Sequence, residues 1–441
     1  MSLVPPQKVQ KLQTTLHAKA KGALEYRFYR LYDKVYRRDI LEFAYRRCRS
    51  NGGAPGVDGQ TFDDIELYGR ERWLDELTTE LRDRTYQPNP VRRVFIPKAD
   101  GSQRPLGIGT IRDRVTQMAV VLILEPIFEA DLQPEQHAYR PDHNALDAIR
   151  QVHGYVSAGH TEVVDADLSG YFDTIPHAEL MKSLSRRISD RHLLGLIKMW
   201  LVAAVEETDE RGRTRRTTRN KDEGRGTPQG SPLSPLLANT YMRRFIVGWK
   251  TLGHEGRLSA RIVNYADDFV ICCRGTADAA MSTMRGMMSQ LRLTVNETKT
   301  RVCRVAKESF DFLGYTIGHC WSPKTGKSYI GTTPSAKKID RLKREISDQT
   351  SRKWLGVDVE DLVDRLNRKL LGWSNYFCLG PVGVAYRAVD RHARHRLRQW
   401  LRAKHELRSR GTTRFPDQYL HEKLGLIRLC DRPKSFPWAK A

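Results

Sequence analysis

Long apolar runs are missing from the chain. Residues 119–124 are all apolar, but this is far short of the ~20 residues that a membrane-spanning helix requires. The start, Met1-Ser2-Leu3-Val4-Pro5-Pro6, has no apolar signal core, and the basic stretch after it carries Glu25, Asp33 and Asp39, unlike an acid-poor transit peptide. A cytoplasmic location, with association to the bacterial nucleoid, is the default expectation. The chain also lacks paired cysteine spacing: seven cysteines without one Cys-x-x-Cys argue for reduced thiols and against a structural zinc site. Cys272 and Cys273 are expected to pack inside a strand. Acidic residues are scarce relative to basic ones, 52 Asp and Glu against 75 Lys and Arg, giving a net charge of +23. Such an excess commonly serves a polyanionic partner, with nucleic acid ahead of a membrane surface. At 441 residues there is room for about three domains, each with its own core.

Against this basic background the acidic residues that do cluster stand out. Tyr265-Ala266-Asp267-Asp268 interrupts two short runs rich in β-branched and aromatic residues, which reads as a strand-turn-strand hairpin with two carboxylates at its tip. Adjacent carboxylates repel, and a divalent cation is the simplest partner, although a solvated Asp-Asp turn has the same local composition. A second acidic segment lies in residues 161–168, read as a strand. Period-2 alternation places Asp165 and Asp167 on one face, opposite Val164, Ala166 and Leu168, with Asp173 following. Phosphoryl transfer to a hydroxyl uses two cations roughly 4 Å apart, held by carboxylates from separate segments. Asp167 with Asp267 and Asp268 meets that need if the two strands are neighbours.

Around these lie supporting elements. Residues 14–49 read as basic and helical, and 68–84 as a helix. Residues 92–98 and 104–108 read as strands of a basic hairpin whose base carries Lys98 and Arg104, suited to an anion such as a triphosphate. A helix over 111–128 is expected to end at Glu125-Pro126. Residues 207–222 read as a polar hairpin or loop, and Gly224 to Pro235 as a rigid loop offering backbone N–H groups at the start of a helix over 236–249. Residues 293–300 read as a strand and turn, and 310–315 as a strand with a glycine kink at Gly314. From 337 to 410 helical patterning and cations dominate, among them Arg387, Arg391, Arg394, Arg396, Arg398, Arg402 and Lys404, interleaved with Trp354, Trp373 and Trp400. That composition fits folded RNA or a nucleic-acid duplex.

The ordered set Ile96-Pro97-Lys98 with Arg104-Pro105-Leu106-Gly107, Tyr139-Arg140-Pro141, Asp167 to Asp173, Pro228 to Pro235, Tyr265-Ala266-Asp267-Asp268 and Phe312-Leu313-Gly314 closely resembles the reverse transcriptases encoded by group II introns. Gly56-Val57-Asp58-Gly59 resembles the amino-terminal block of that family, and residues 366–376 resemble its maturase, or thumb, domain. The resemblance implies an α+β right-hand polymerase: an N-terminal extension and fingers over 1–160, a palm with an antiparallel sheet over 161–333 with a finger segment near 205–235, a helical thumb or maturase domain over 334–410, and a short nucleic-acid-binding tail over 411–441, without an endonuclease domain. It implies that Asp167, Asp267 and Asp268 bind two Mg²⁺ ions, with Mn²⁺ as a substitute. Lys98, Arg104, Arg140, Gln229 and Lys299 would contact nucleotide or primer, and Phe172 would exclude a 2′-hydroxyl. Asp165 is expected to be peripheral and Asp173 structural. The implied partners are group II intron RNA, an RNA template with a DNA primer, deoxynucleoside triphosphates and target DNA, in splicing and retrohoming. Two other roles share the same motifs: a splicing-only RNA-binding maturase, and a related enzyme recruited to phage defence or repair with no intron partner.

Overall fold

Helix Ile111–Glu129 is apolar on almost every side and runs through the middle of the largest core, where nearly all of its residues are buried. The computed structural model describes residues 3–97, 101, 103–209, 211–322, 325–408, 411–433 and 435. Pro126 lies inside this helix instead of ending it. A proline supplies no N–H, which frees the carbonyl four residues earlier. Here Gln13 of helix Gln7–Gly22 donates to that carbonyl, Leu122 O, at 3.0 Å, and His17 Nδ1 lies 3.0 Å from Pro126 O. The helix expected over 68–84 is likewise modified. Gly69, at φ +105°, separates Phe62–Tyr68 from Arg70–Asp83, and a Thr61/Asp64 capping box starts the first of these.

The described residues form eleven strands: β1 (Val91–Pro97), β2 (Gln103–Ile108), β3 (Glu162–Asp167), β4 (Val205–Thr208), β5 (Thr214–Thr217), β6 (Ala260–Tyr265), β7 (Asp268–Cys273), β8 (Arg301–Arg304), β9 (Phe310–Phe312), β10 (Tyr315–Trp321) and β11 (Ser328–Pro334). They make three sheets, ordered β2-β1-β4-β5, β6-β7-β3-β8 and β11-β10-β9. The second is antiparallel throughout. Its alternation divides it cleanly: Val164, Ala166, Phe269 and Ile271 enter the large core, whereas Val163, Val270, Cys272 and Cys303 pack on Phe310 and Ile317 of the third sheet. Cys272 and Cys273 are buried in β7. The expected kink at Gly314 is instead a two-residue reversal: Leu313 (φ +49°) and Gly314 (φ +83°) form it, and Phe312 pairs with Tyr315 across β9 and β10.

Beyond β11, helices Ala336–Gln349, Val359–Tyr376 and Gly383–Lys404 form a separate apolar core. The segment after residue 410 joins that core. Phe415, Leu420, Leu426 and Leu429 are buried in it, and the Asp390 carboxylate accepts from the Leu429 and Cys430 N–H groups at 2.9 and 3.1 Å. Its apolar residues thus pack the expected short tail onto the helical unit. No helix among the described residues is long and apolar enough to cross a membrane.

Candidate active site

Strand register builds the site. β3 pairs with β7 so that Asp167 stands directly opposite Asp268, and Asp267 occupies the β6–β7 turn beside it. Residues paired across an antiparallel ladder project to the same face, so two distant stretches of chain present three carboxylates at one sheet edge. The turn is demanding: Ala266 adopts φ +58°, and Asn264 Nδ2 donates to its carbonyl at 2.8 Å. Asp165 lies on the same face, opposite Val270 and Arg301, one alternation further along β3.

Crowding of like charge shows in the acidities. Desolvation first, then Asp267, Asp167 and Asp165, push the Asp268 carboxyl up to about 7. Asp268 still meets solvent in the open cleft, so water screens part of this repulsion. Desolvation and then Asp167 raise Asp267, while desolvation carries Asp165 to about 6 despite Arg301. Asp167 is the one carboxylate with a cation on it: its Oδ2 accepts from Lys299 Nζ at 3.0 Å and from Asn296 Nδ2 at 2.9 Å. The segment carrying both donors is fixed to β3 by backbone, Asn296 N donating to Asp167 O at 2.9 Å and Ser169 N to Thr294 O at 2.9 Å. Among the described residues no three acidic, thiol or imidazole side chains already close into a metal cage. The donor set nevertheless fits a hard divalent cation: oxygen ligands only, mutually repelling, with an ammonium group standing on one of them.

A second arrangement joins the β1–β2 hairpin to the sheet. Arg104, opposite Ile96 in that hairpin, donates from Nε to Gln229 Oε1 at 3.1 Å, and Gln229 Nε2 donates to Asp173 Oδ2 at 2.9 Å. The Gln229 amide is therefore oriented from both ends. Its backbone is also held, with Gly107 N donating to Gln229 O at 2.6 Å, and a Cβ at Gly230 would come within 2.6 Å of Gly107 O. Phe172 is 7% exposed, its ring edge-on to Tyr139 with centroids 6.4 Å apart, and its carbonyl accepts from Thr227 N at 2.7 Å.

Arg140 requires a correction. Its guanidinium is spent on Glu129 (Nε to Oε1, 3.0 Å) and on the carbonyls of Gln133 and Gln136, with the side chain 7% exposed, so it braces a loop and does not face the cleft. Its neighbour Tyr139 is the exposed member, in left-handed backbone at φ +56°, and burial and then Asp267 raise its hydroxyl pKa. Lys98 lies outside the described residues. Sequence reasoning missed Asn296 and Tyr139. The first stands three residues before Lys299 in the same turn, and the second was visible only as part of a motif.

In the helical unit the cations divide by role. Arg394 and Arg398 both pair with Asp417, the second at 2.5 Å, and Lys404 Nζ donates to the carbonyls of Leu355 and Val357 at 3.0 and 2.8 Å. Arg387 and Arg391 are exposed on helix Gly383–Lys404.

A model of the reverse transcriptase (RNA-dependent DNA polymerase) family matches residues 96–317, and a model of the group II intron maturase-specific domain matches residues 339–416. The chain is 32% identical to Protein YkfC of Escherichia coli over 366 residues, covering 75% of this chain and 93% of that protein. It is 36% identical to the group II intron-encoded protein LtrA of Lactococcus lactis over 355 residues, covering 66% and 57% respectively. An uncharacterized 91 kDa protein in the cob intron of Schizosaccharomyces pombe is 24% identical over 417 residues, covering 78% and 50%. The chain thus spans nearly all of YkfC but only about half the length of the two intron-encoded relatives. With a right-hand polymerase domain joined to a maturase-specific helical domain, the chain belongs to the group II intron reverse transcriptase/maturase family.

Proposed function

We propose that the protein is an RNA-directed DNA polymerase that extends a DNA primer on an RNA template and binds group II intron RNA through its helical unit, assisting splicing and retrohoming. One observation carries the polymerase reading: Asp167 and Asp268 face one another across β3 and β7 with Asp267 beside them, and the Asp267 and Asp268 carboxyls are raised by burial and mutual repulsion. Asp167, Asp267 and Asp268 would hold two Mg²⁺ ions, or Mn²⁺ in their place, which supply activation of the primer 3′-hydroxyl and neutralisation of the triphosphate.

The chain's own groups do the rest. Arg104 offers a guanidinium to the triphosphate, and Lys98, next in sequence after β1, a second cation. Gln229, oriented by Arg104 and Asp173, fixes the incoming nucleotide. Phe172 fills the space a 2′-hydroxyl would need. Lys299, whose ammonium pairs with Asp167 at 3.0 Å, would lie near the primer end. The proposed division of labour is fingers and N-terminal extension over 1–160, palm over 161–333 with a finger segment near 205–235, and a helical thumb or maturase domain from 334, the last supported by a core of its own. The family match to the maturase-specific domain and the exposed Arg387 and Arg391 support the RNA partner.

The test is primer extension on an RNA template with Mg²⁺. Asp267→Asn should abolish synthesis while leaving RNA affinity close to that of the parent; retained synthesis would remove the carboxylates from the reaction.

A further inference from the structure

The helical unit contains a cavity of about 550 Å³, none of whose lining residues belongs to the carboxylate site. Arg352, Arg396 and Arg402 stand in its wall, with Leu355, Trp400 and Leu407 among its apolar surfaces. Arg396 is clamped: its Nε donates to Thr350 Oγ1 at 3.1 Å, and one terminal nitrogen donates to Ser347 O at 2.9 Å. Its partners are neutral. None of the three guanidinium groups is in an ion pair among the described residues, and Glu406, exposed at the rim, is the one acid of the lining. The wall therefore keeps a net positive charge.

Unpartnered polar atoms gather at the same place. Among the described residues two buried side-chain donors without a hydrogen-bond partner, Trp400 Nε1 and Arg402 Nε, belong to residues of the lining, and Gln349 and Ser351, the chain neighbours of the lining residue Thr350, carry two more unpartnered atoms. Trp400, which lines the cavity, is 1% exposed, so its indole N–H pays the full desolvation cost with nothing to donate to. Buried donors and acceptors without partners mark a place where a polar ligand or ordered water completes the structure. The volume is in the range of small-molecule sites and far larger than a lone phosphate needs. A cationic rim, an aliphatic floor of Leu355 and Leu407 over the buried Trp400, and two unfilled donors together match a nucleotide.

We propose that this cavity takes one unpaired nucleotide of bound RNA, its phosphate against Arg352 and Arg402 and its base against Leu355 and Leu407, above the buried Trp400. The inference rests on the reading that the helical unit binds RNA and adds a site at which that unit distinguishes a bulged strand from a continuous duplex. Extruded bases stacked on aromatic or guanidinium surfaces are a general way for proteins to recognise RNA, and one such contact supports a preference of roughly tenfold.

The test uses the full chain and two RNA hairpins that differ by a single bulged nucleotide, with affinities measured by fluorescence anisotropy. The parent protein should bind the bulged hairpin about tenfold more tightly than the plain one. Arg352→Ala, at an exposed position, and Trp400→Phe, which removes the indole N–H and keeps most of the bulk, should each reduce that ratio toward one, with thermal melting confirming that the variants fold. A preference that survives both substitutions, or parent affinities equal for the two hairpins, would overturn the nucleotide site alone. Failure to bind either hairpin would overturn the RNA-binding reading beneath it. Saturable binding of adenosine monophosphate with no preference between hairpins would assign the cavity to a free nucleotide and overturn the RNA-borne assignment.

Discussion

The carboxylate site and helix Gly383–Lys404 handle like charge in opposite ways. In the first, a strand register and one tight turn bring Asp167, Asp267 and Asp268 together, and the crowding raises the pKa of two of them. In the second, cations are spread along a helix and several are absorbed by the fold: Arg394 and Arg398 by Asp417, Arg396 by Ser347 and Thr350, Lys404 by two carbonyls. A concentrated site is complete or broken, whereas a dispersed surface loses binding by increments. The difference also warns against equating cation count with RNA contacts, because half of a basic helix can be spent on packing.

The sharpest way to break this comparison is to remove one carboxylate. Asp268→Asn should lower primer extension by about a thousandfold, corresponding to roughly 4 kcal/mol of lost transition-state stabilisation. The same substitution should also reverse a pH effect. The folded Asp268 carboxyl titrates at about 7, above the ordinary carboxylate value of 3.8, so its contribution to stability is complete below about pH 4 and is lost as pH rises through 7. Without divalent ions, the variant should therefore gain in melting temperature relative to the parent between pH 5 and pH 8. An unchanged difference across that range would contradict the charge crowding. Phe172→Ala comes next: discrimination against ribonucleotides should fall by roughly 10- to 200-fold, read from the ratio of kcat/KM for matched ribo- and deoxynucleotides. Asn296→Ala removes a donor behind Asp167 and should raise the Mg²⁺ requirement roughly 10- to 100-fold with intact RNA affinity. Smallest of all, Arg387→Ala should reduce the slope of log affinity for RNA against log salt by about one and leave primer-extension rate at saturating template near the parent value. A large loss from that one exposed arginine would mean that the helical unit, too, has a concentrated site on this face.

What sequence could reveal depended on how local the cause was. The acidic hairpin and the strand carrying Asp167 were legible because period-2 alternation and adjacent carboxylates are local signals, and the loop before helix Ser234–Thr251 announced itself through glycine and proline. Pro126 misled because the group that rescues the helix, Gln13, is 109 positions away. Arg140 misled because a basic residue in a polymerase-like motif looks the same whether it meets a phosphate or Glu129. The reversal at Leu313-Gly314 has the composition of a kinked strand, and only the pairing of Phe312 with Tyr315 distinguishes the two. The Arg104–Gln229–Asp173 connection joins three separate segments, and its geometry exists only once the β1–β2 hairpin folds over the sheet.

The central claim is that one cluster of carboxylates makes DNA on RNA. The most direct measurement is primer extension by the full chain on RNA and DNA templates of matched sequence, with Mg²⁺, beside the Asp267→Asn variant. The parent should incorporate deoxynucleotides on the RNA template, and the variant should incorporate none on either template. Incorporation by the variant at the parent's rate, or no incorporation by the parent on RNA, would contradict that claim.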